Sequence, residues 1–154
     1  MKKIASFTID HTILPKGIYL SRVDGDVDTF DIRMRKPNVE QVLTNGSIHT
    51  IEHLFATYVR NTEYSDNIIY FGPMGCRTGC YFLTRNLEKS IVVNLIKEAF
   101  DFIASYEGEI PGSSEIECGN YRDHDLKQAK EDAKDMCIVL KNWNEDMLKY
   151  PTKE

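Results

Sequence analysis

His49 and His53 stand four residues apart in the stretch SIHTIEHLF, with Glu52 between them, in the order H-x-x-E-H. On a helix at about 100° per residue, two such imidazoles lie about 40° apart, one turn above the other, within reach of a single ion. The apolar stripe of this segment is Ile48, Ile51, Leu54, Phe55, Tyr58 and Val59. The histidines fall to one side of it, and Glu52 lies between them and the stripe. That placement argues against two core histidines and leaves a metal-binding turn or a solvated face. Two of the chain's 4 histidines occupy this turn, which favours the metal. Glu52 is then a general base beside the ion or a solubilising residue.

Two histidines leave a divalent ion short of ligands, because catalytic zinc-type sites take about three protein ligands and keep one position open. A Cys, Asp or Glu from elsewhere must complete the set. Cys118, in the loop ECGNYRDHD before the last helix, is a candidate, and His124 competes for the role. The order H-x-x-E-H also occurs in inverted-motif metallopeptidases, where a distant acidic residue completes the site. Those enzymes are much larger than this chain of 154 residues, so a small HxxEH metallopeptidase is the alternative reading. Cys76 lies in FGPMGCRTG, a Gly/Pro-rich turn that displays a side chain rather than packing it. It reads as a reactive thiol tuned by a nearby cation, Arg77 or Arg33, or as a turn that happens to hold a cysteine. Cys80 reads as structural, and Cys137, beside Met136, as a core residue.

The elements that must position these groups follow from periodicity. Short apolar or alternating runs predict strands at Ile4 to Ile9, Gly17 to Leu20, Thr29 to Met34, Asn67 to Phe71 and Cys80 to Thr84. Helices are predicted from Ser47 as N-cap to Asn61, from Leu87 to Tyr106 and from His124 to Met147, with a loop from Gly108 to Ser114. The expected fold is α+β, a single domain over 1–154 with a mainly antiparallel sheet packed against three main helices. Hydrophobic content of 42% and charged content of 28% are ordinary for a globular chain. A net charge of −5 argues against nucleic-acid or anionic-membrane partners. No apolar run approaches the roughly 18 residues of a membrane span, and the apolar start breaks at Asp10-His11 without a small-residue cleavage site. The expected compartment is the cytoplasm, where four cysteines stay reduced and serve metal binding, catalysis or packing.

Taken together, SFTIDH, FDIR followed by Pro37-Asn38, HTIEHLFATYVRN, GPMGCRTG and ECGNYRDHDL resemble the S-ribosylhomocysteine lyase (LuxS) family, in the family's order and over nearly the whole chain. The resemblance implies cleavage of S-ribosylhomocysteine to homocysteine and 4,5-dihydroxy-2,3-pentanedione, the autoinducer-2 precursor, linking quorum sensing to the activated methyl cycle. It implies His49, His53 and Cys118 as metal ligands and Glu52 and Cys76 as the acid–base pair. Ser6, His11, Arg33 and Arg60 fall on family positions that line the substrate pocket or support the thiol. It implies iron(II) as the native ion, with zinc or cobalt as substitutes, and a homodimer with two sites at the subunit interface. One departure stands out. The family commonly carries an acidic residue six positions before the catalytic cysteine and a serine before Pro-Met-Gly, where this chain has Tyr70 and Gly72.

Overall fold

Strand alternation decides which side chains meet the helices and which are left on the opposite face. The computed structural model describes residues 1–152, so the last two positions of the expected 1–154 domain lie outside the described residues. The main elements are β1 (Gly17–Asp24), β2 (Val27–Arg33), α1 (Asn45–Val59), β3 (Ile68–Pro73), β4 (Gly79–Arg85), α2 (Lys89–Ala104) and α3 (Leu126–Val139). The strands form one sheet in the order β1-β2-β4-β3, every neighbour antiparallel. With three helices against it, the fold is the α+β arrangement expected.

On the helix-facing side, Phe30 pairs across to Phe82 and Phe82 to Phe71, while Ile32 pairs to Cys80. These side chains, with Ile51, Leu54 and Phe55 of α1 and Ile96 and Phe100 of α2, make the buried core. The opposite face carries Tyr19, Asp31 and Tyr81 in one row across β1, β2 and β4. A tail after α3 covers part of it. Trp143 meets Tyr19 edge-on at 5.8 Å and donates its indole N–H to the Ile18 carbonyl at 3.1 Å, and Tyr150 stacks on Tyr19 at 5.0 Å.

Four expectations need correction. Ile4 to Ile9 is not a strand: Ala5–Phe7 is a single 3-10 turn, with the Thr8 hydroxyl closing on the Ala5 carbonyl at 2.6 Å. Ile4 and Phe7 are exposed, so the apolar run has no buried face to hold it extended. The N-cap of α1 is Thr44, whose hydroxyl accepts from the Ser47 N–H. Ser47 is fully buried and donates to Asp132 of α3 at 2.5 Å. The last helix starts after its cap Asp125 and stops at Val139, well short of Met147, because Trp143 must turn back onto the sheet. Cys137 is half-buried rather than core, its thiol donating to Asp101 at 3.1 Å. Burial, then Asp101, pushes that thiol up to about 12.

Candidate metal centre and reactive thiol

Helix α1 projects His49 and His53 toward two loops that would otherwise have no reason to meet it. Its apolar side, Ile51, Leu54 and Phe55, is buried in the core, and that fixes its rotation about its own axis. His49 Nδ1 then donates to the Asp123 carbonyl and His53 Nδ1 to the Pro111 carbonyl, both at 2.8 Å. A carbonyl only accepts, so each Nδ1 keeps its proton and each Nε2 turns a lone pair inward. Cys118 Sγ lies 3.3 Å from His49 Nε2 and 3.9 Å from His53 Nε2. Those separations bracket the roughly 3.6 Å edge of a tetrahedron built from metal–nitrogen and metal–sulfur bonds of about 2.0–2.3 Å. The donor set therefore fits one divalent ion.

The loop that supplies the Pro111 carbonyl needs a glycine beside it. Gly112 has φ +69°, and a Cβ there would fall 3.3 Å from His53 Nδ1. The second loop is tied down where Asp125 N–H donates to the Thr50 hydroxyl at 3.0 Å and to the Gly46 carbonyl at 3.2 Å.

His124 joins the cluster. The ligand atoms of His49, His53, Cys118 and His124 all lie within 4.8 Å of one another. Its ring stacks on His49 with centroids 3.9 Å apart, and its Nδ1 lies 3.0 Å from Thr50 Oγ1. Burial, followed by the two neighbouring imidazoles, lowers its pKa to about 4, so the ring is neutral at neutral pH. Its Nε2 is buried with no hydrogen-bond partner among the described residues. Among the described residues no carboxylate belongs to the cluster. The small metallopeptidase alternative, which needs an acidic ligand, is not supported.

Beside the cluster, Glu52 and His53 line an open cleft of about 370 Å³ together with Tyr70, Phe71, Pro111 and Gly112. Tyr70 lies directly over Gly72, where a Cβ would fall 2.0 Å from its phenol oxygen. The two departures from the family pattern are thus one structural event: the glycine makes room for the tyrosine.

The turn between β3 and β4 closes through Met74 N–H to the Gly79 carbonyl at 2.9 Å and Arg77 N–H to the Met74 carbonyl at 3.0 Å. Arg77, not a glycine, takes the left-handed conformation at φ 60°. Cys76 is exposed at its tip, with Sγ 3.0 Å from Thr78 Oγ1. That hydroxyl accepts from Arg33 Nη1 at 2.8 Å, which leaves its own proton free to point at the sulfur. Arg33 is therefore the cation behind the thiol, whereas Arg77 reaches Asn45 at 3.4 Å. Cys80, fully buried, has its thiol pushed up by burial first, with Glu52, Asp31 and Cys76 adding to the effect. Glu52 and Cys76 thus act electrostatically on the same buried group from α1 and from the turn.

The remaining site positions lie elsewhere in the chain. Arg60 caps the C-terminal end of α1, about 10 Å along the axis from His53, and donates to the Ile69 carbonyl at 3.1 Å. His11 Nδ1 donates to the Ile9 carbonyl at 2.9 Å. Ser6 lines a second cleft with Ile4, Arg22, Tyr81 and Leu83, and Tyr70 is shared by both clefts. Residue spacing had no signal for the Asp123 and Pro111 carbonyls or for Thr50, Thr78 and Asp31. The Pro111-Gly112 pair was the one visible mark of the loop that orients His53.

The family model described as S-Ribosylhomocysteinase (LuxS) matches residues 4–147. A protein named S-ribosylhomocysteine lyase from Phocaeicola vulgatus is 53% identical, with 100% of each chain covered. Proteins of the same name from Borrelia garinii subsp. bavariensis and Clostridium acetobutylicum are 48% and 47% identical, each covering 98% of this chain and 100% and 99% of their own.

Proposed function

Because the chain belongs to the S-ribosylhomocysteinase (LuxS) family, we propose that its lyase chemistry is carried by Glu52 and Cys76 beside an ion held by His49, His53 and Cys118. The activity is carbon–sulfur cleavage of S-ribosylhomocysteine to homocysteine and 4,5-dihydroxy-2,3-pentanedione, the precursor of autoinducer-2. The atoms balance without water or a redox cofactor. The observation that supports the site is the convergence of two Nε2 lone pairs and one thiol on a point beside Glu52, each imidazole locked by a carbonyl.

The C5–S bond breaks only when it lies β to a carbonyl, so the sugar carbonyl must travel from C1 to C3. Each move takes a proton from the carbon beside the carbonyl and returns one to the neighbouring carbon. Glu52 Oε and Cys76 Sγ are the two groups assigned to these transfers, each worth about 10²–10⁴-fold in rate. Arg33 and Thr78 supply a cation and a donor behind the thiol. Removal of the C4 proton then expels the homocysteine thiolate from C5. When bound, the divalent ion supplies Lewis-acid stabilisation of the oxyanion that develops on the sugar. Iron(II) is the ion proposed, with zinc or cobalt as substitutes, since two imidazoles and a thiolate suit these metals by ligand type.

The proposal extends to a homodimer with its sites at the interface. Ile4, Phe7, Val23 and Tyr70 are large apolar or aromatic groups exposed in the single chain. Ile4 and Tyr70 border the cleft that holds Ser6, so a second copy seated there would bring Ser6 and His11 to a shared site, with Arg60 at its edge. The cytoplasm is the compartment proposed, in keeping with four free cysteines. No described helix is long and apolar enough to cross a membrane, and neither a membrane nor a nucleic acid is proposed as a partner.

Anaerobically purified protein should release a free thiol from S-ribosylhomocysteine, read with a thiol reagent. Cys76→Ala should keep its metal and lose turnover, whereas Cys118→Ala should lose the metal. Normal turnover by Cys76→Ala would sink the assignment of the thiol.

A further inference from the structure

The sheet face turned away from the helices carries a buried ion pair, one half of which stands behind the thiol. Asp31 is 0% and Arg33 2% exposed. Arg33 grips the carboxylate with both arms, Nε to Oδ1 at 3.1 Å and Nη2 to Oδ2 at 2.6 Å. Its third contact, Nη1 to Thr78, leads on to Cys76 Sγ. The far end of this chain is closed by Tyr150, whose hydroxyl donates to Asp31 Oδ2 at 2.7 Å while its ring stacks on Tyr19. Tyr150 lies outside residues 4–147, the span that the family model matches.

We propose that Tyr150 is a positioning residue for the Cys76 thiol, acting through Asp31, Arg33 and Thr78. The polarity of the hydrogen bonds runs one way. The phenol donates to the carboxylate and offsets part of its charge, so the guanidinium is shared between Asp31 and Thr78. The Thr78 hydroxyl, accepting from Arg33, is left to donate to the sulfur. Burial, followed by Asp31, pushes the phenol's pKa up, so it remains a donor throughout the neutral range. Without that donor, Asp31 draws Arg33 back from Thr78, and the hydroxyl is less polarised toward the sulfur. That weakens the hydrogen bond which favours the reactive anion.

The other titratable groups coupled to this chain lie on β1, β4 and α1, and Tyr19 of β1, under the Tyr150 ring, feels both Asp31 and Arg33. Tyr81 feels Asp31, Arg33 and Cys76, and Cys80 feels Glu52, Asp31 and Cys76. Arg77, beside the thiol, is engaged by Asn45. Tyr150 acts on the pair itself, through its bond to Asp31 and its charge coupling to both Asp31 and Arg33, so a change at its hydroxyl reaches the thiol by way of that pair.

The consequence for turnover rests on Cys76 being a proton-transfer group, but its reactivity toward an alkylating reagent does not. Metal-loaded full-length protein would be treated with iodoacetamide across pH 6–9, and alkylation followed by mass spectrometry of the Cys76 peptide. Tyr150→Phe, which keeps the ring stack, should slow alkylation at neutral pH by about two- to fivefold and move its pH midpoint upward. Tyr150→Ala should do the same. In a Thr78→Val background, Tyr150→Phe should add nothing. An unchanged or faster rate in Tyr150→Phe overturns the proposal, as does a drop confined to Tyr150→Ala or one that persists with Thr78→Val. Slower alkylation with unaltered turnover would instead count against the catalytic role of Cys76 and leave this relay standing.

Discussion

The histidine–cysteine cluster and the Cys76 thiol are held by opposite means. At the metal centre each imidazole is aimed by a backbone carbonyl, from Asp123 and from Pro111. At the thiol every link is a side chain, from Thr78 through Arg33 to Asp31. A carbonyl neither ionises nor disappears on substitution, so the ligands keep one tautomer and one direction. A side-chain relay can be tuned at each link and can also be broken at each link. The cluster is oriented by backbone, and the thiol is backed by adjustable chemistry.

The largest effect that would test this contrast is removal of one half of the buried pair. Asp31→Asn or Arg33→Met leaves the partner buried and uncompensated, and each should cost about 3–5 kcal/mol of stability. Urea unfolding would measure it, while metal content in the folded variants should stay unchanged. Loss of metal from Arg33→Met would show that the two regions are not independent. The reciprocal change is Gly112→Ala, which strains a left-handed position and crowds His53 Nδ1. Disturbing the partner that orients a ligand typically weakens metal binding by about 10–100-fold. Competition with a chelator should show that loss, and the rate of Cys76 alkylation should not change.

Legibility in the sequence divides along the same line. His49 and His53 were readable because one helix sets their separation, and a four-residue spacing survives any tertiary detail. Cys118 comes from 65 residues beyond His53, and no local period connects them, so residue types left it in competition with His124. The family resemblance singled it out, and the structure brings both residues to the cluster. The carbonyl acceptors carry no residue signature at all. Arg33 could be named beside Cys76, but Asp31 reads in FDIR as an ordinary outward-facing polar position. It is buried only because the tail leaves α3 and returns over β1. The same blindness made Ile4 to Ile9 look like a strand: apolar residues usually mean a buried face, and here the single chain offers none. The sheet and helices were legible because their periodicity records burial against the shared core.

A smaller effect appears in alkali. Burial, followed by Asp31, raises Tyr19 from an ordinary phenol pKa near ~10 to about 12, and Tyr150 is raised in the same way. Below the unfolded value both states hold the proton and the contribution is complete. Above it the unfolded chain ionises first, so stability falls as pH rises from about 10 toward 12. Allowing for screening by nearby solvent, the loss between pH 9 and 11 should be on the order of 1 kcal/mol. Urea midpoints at those two pH values would measure it, and Tyr150→Phe should flatten the slope. A slope unaffected by Tyr150→Phe would place the sensitive groups elsewhere.

The smallest effect on stability, and the sharpest on the cleft, concerns Tyr70 and Gly72. A side chain at residue 72 meets only the far end of Tyr70, which is half-exposed and free to swing outward. Gly72 is itself buried beneath that ring, and once the ring swings away Gly72→Ser should change stability by no more than about 0.5 kcal/mol. It should nevertheless remove the phenol from the wall that Tyr70 shares with Glu52 and His53. Losing one such contact corresponds to a rise in KM of about three- to tenfold with kcat little altered, the pattern of lost uniform binding. Tyr70→Ala should give a similar rise on its own. Adding Gly72→Ser to Tyr70→Ala should then change nothing further, because the space it needs is already empty. Additive effects in that double-mutant cycle would mean that the two positions act separately. The glycine would then owe its place to the strand rather than to the tyrosine above it.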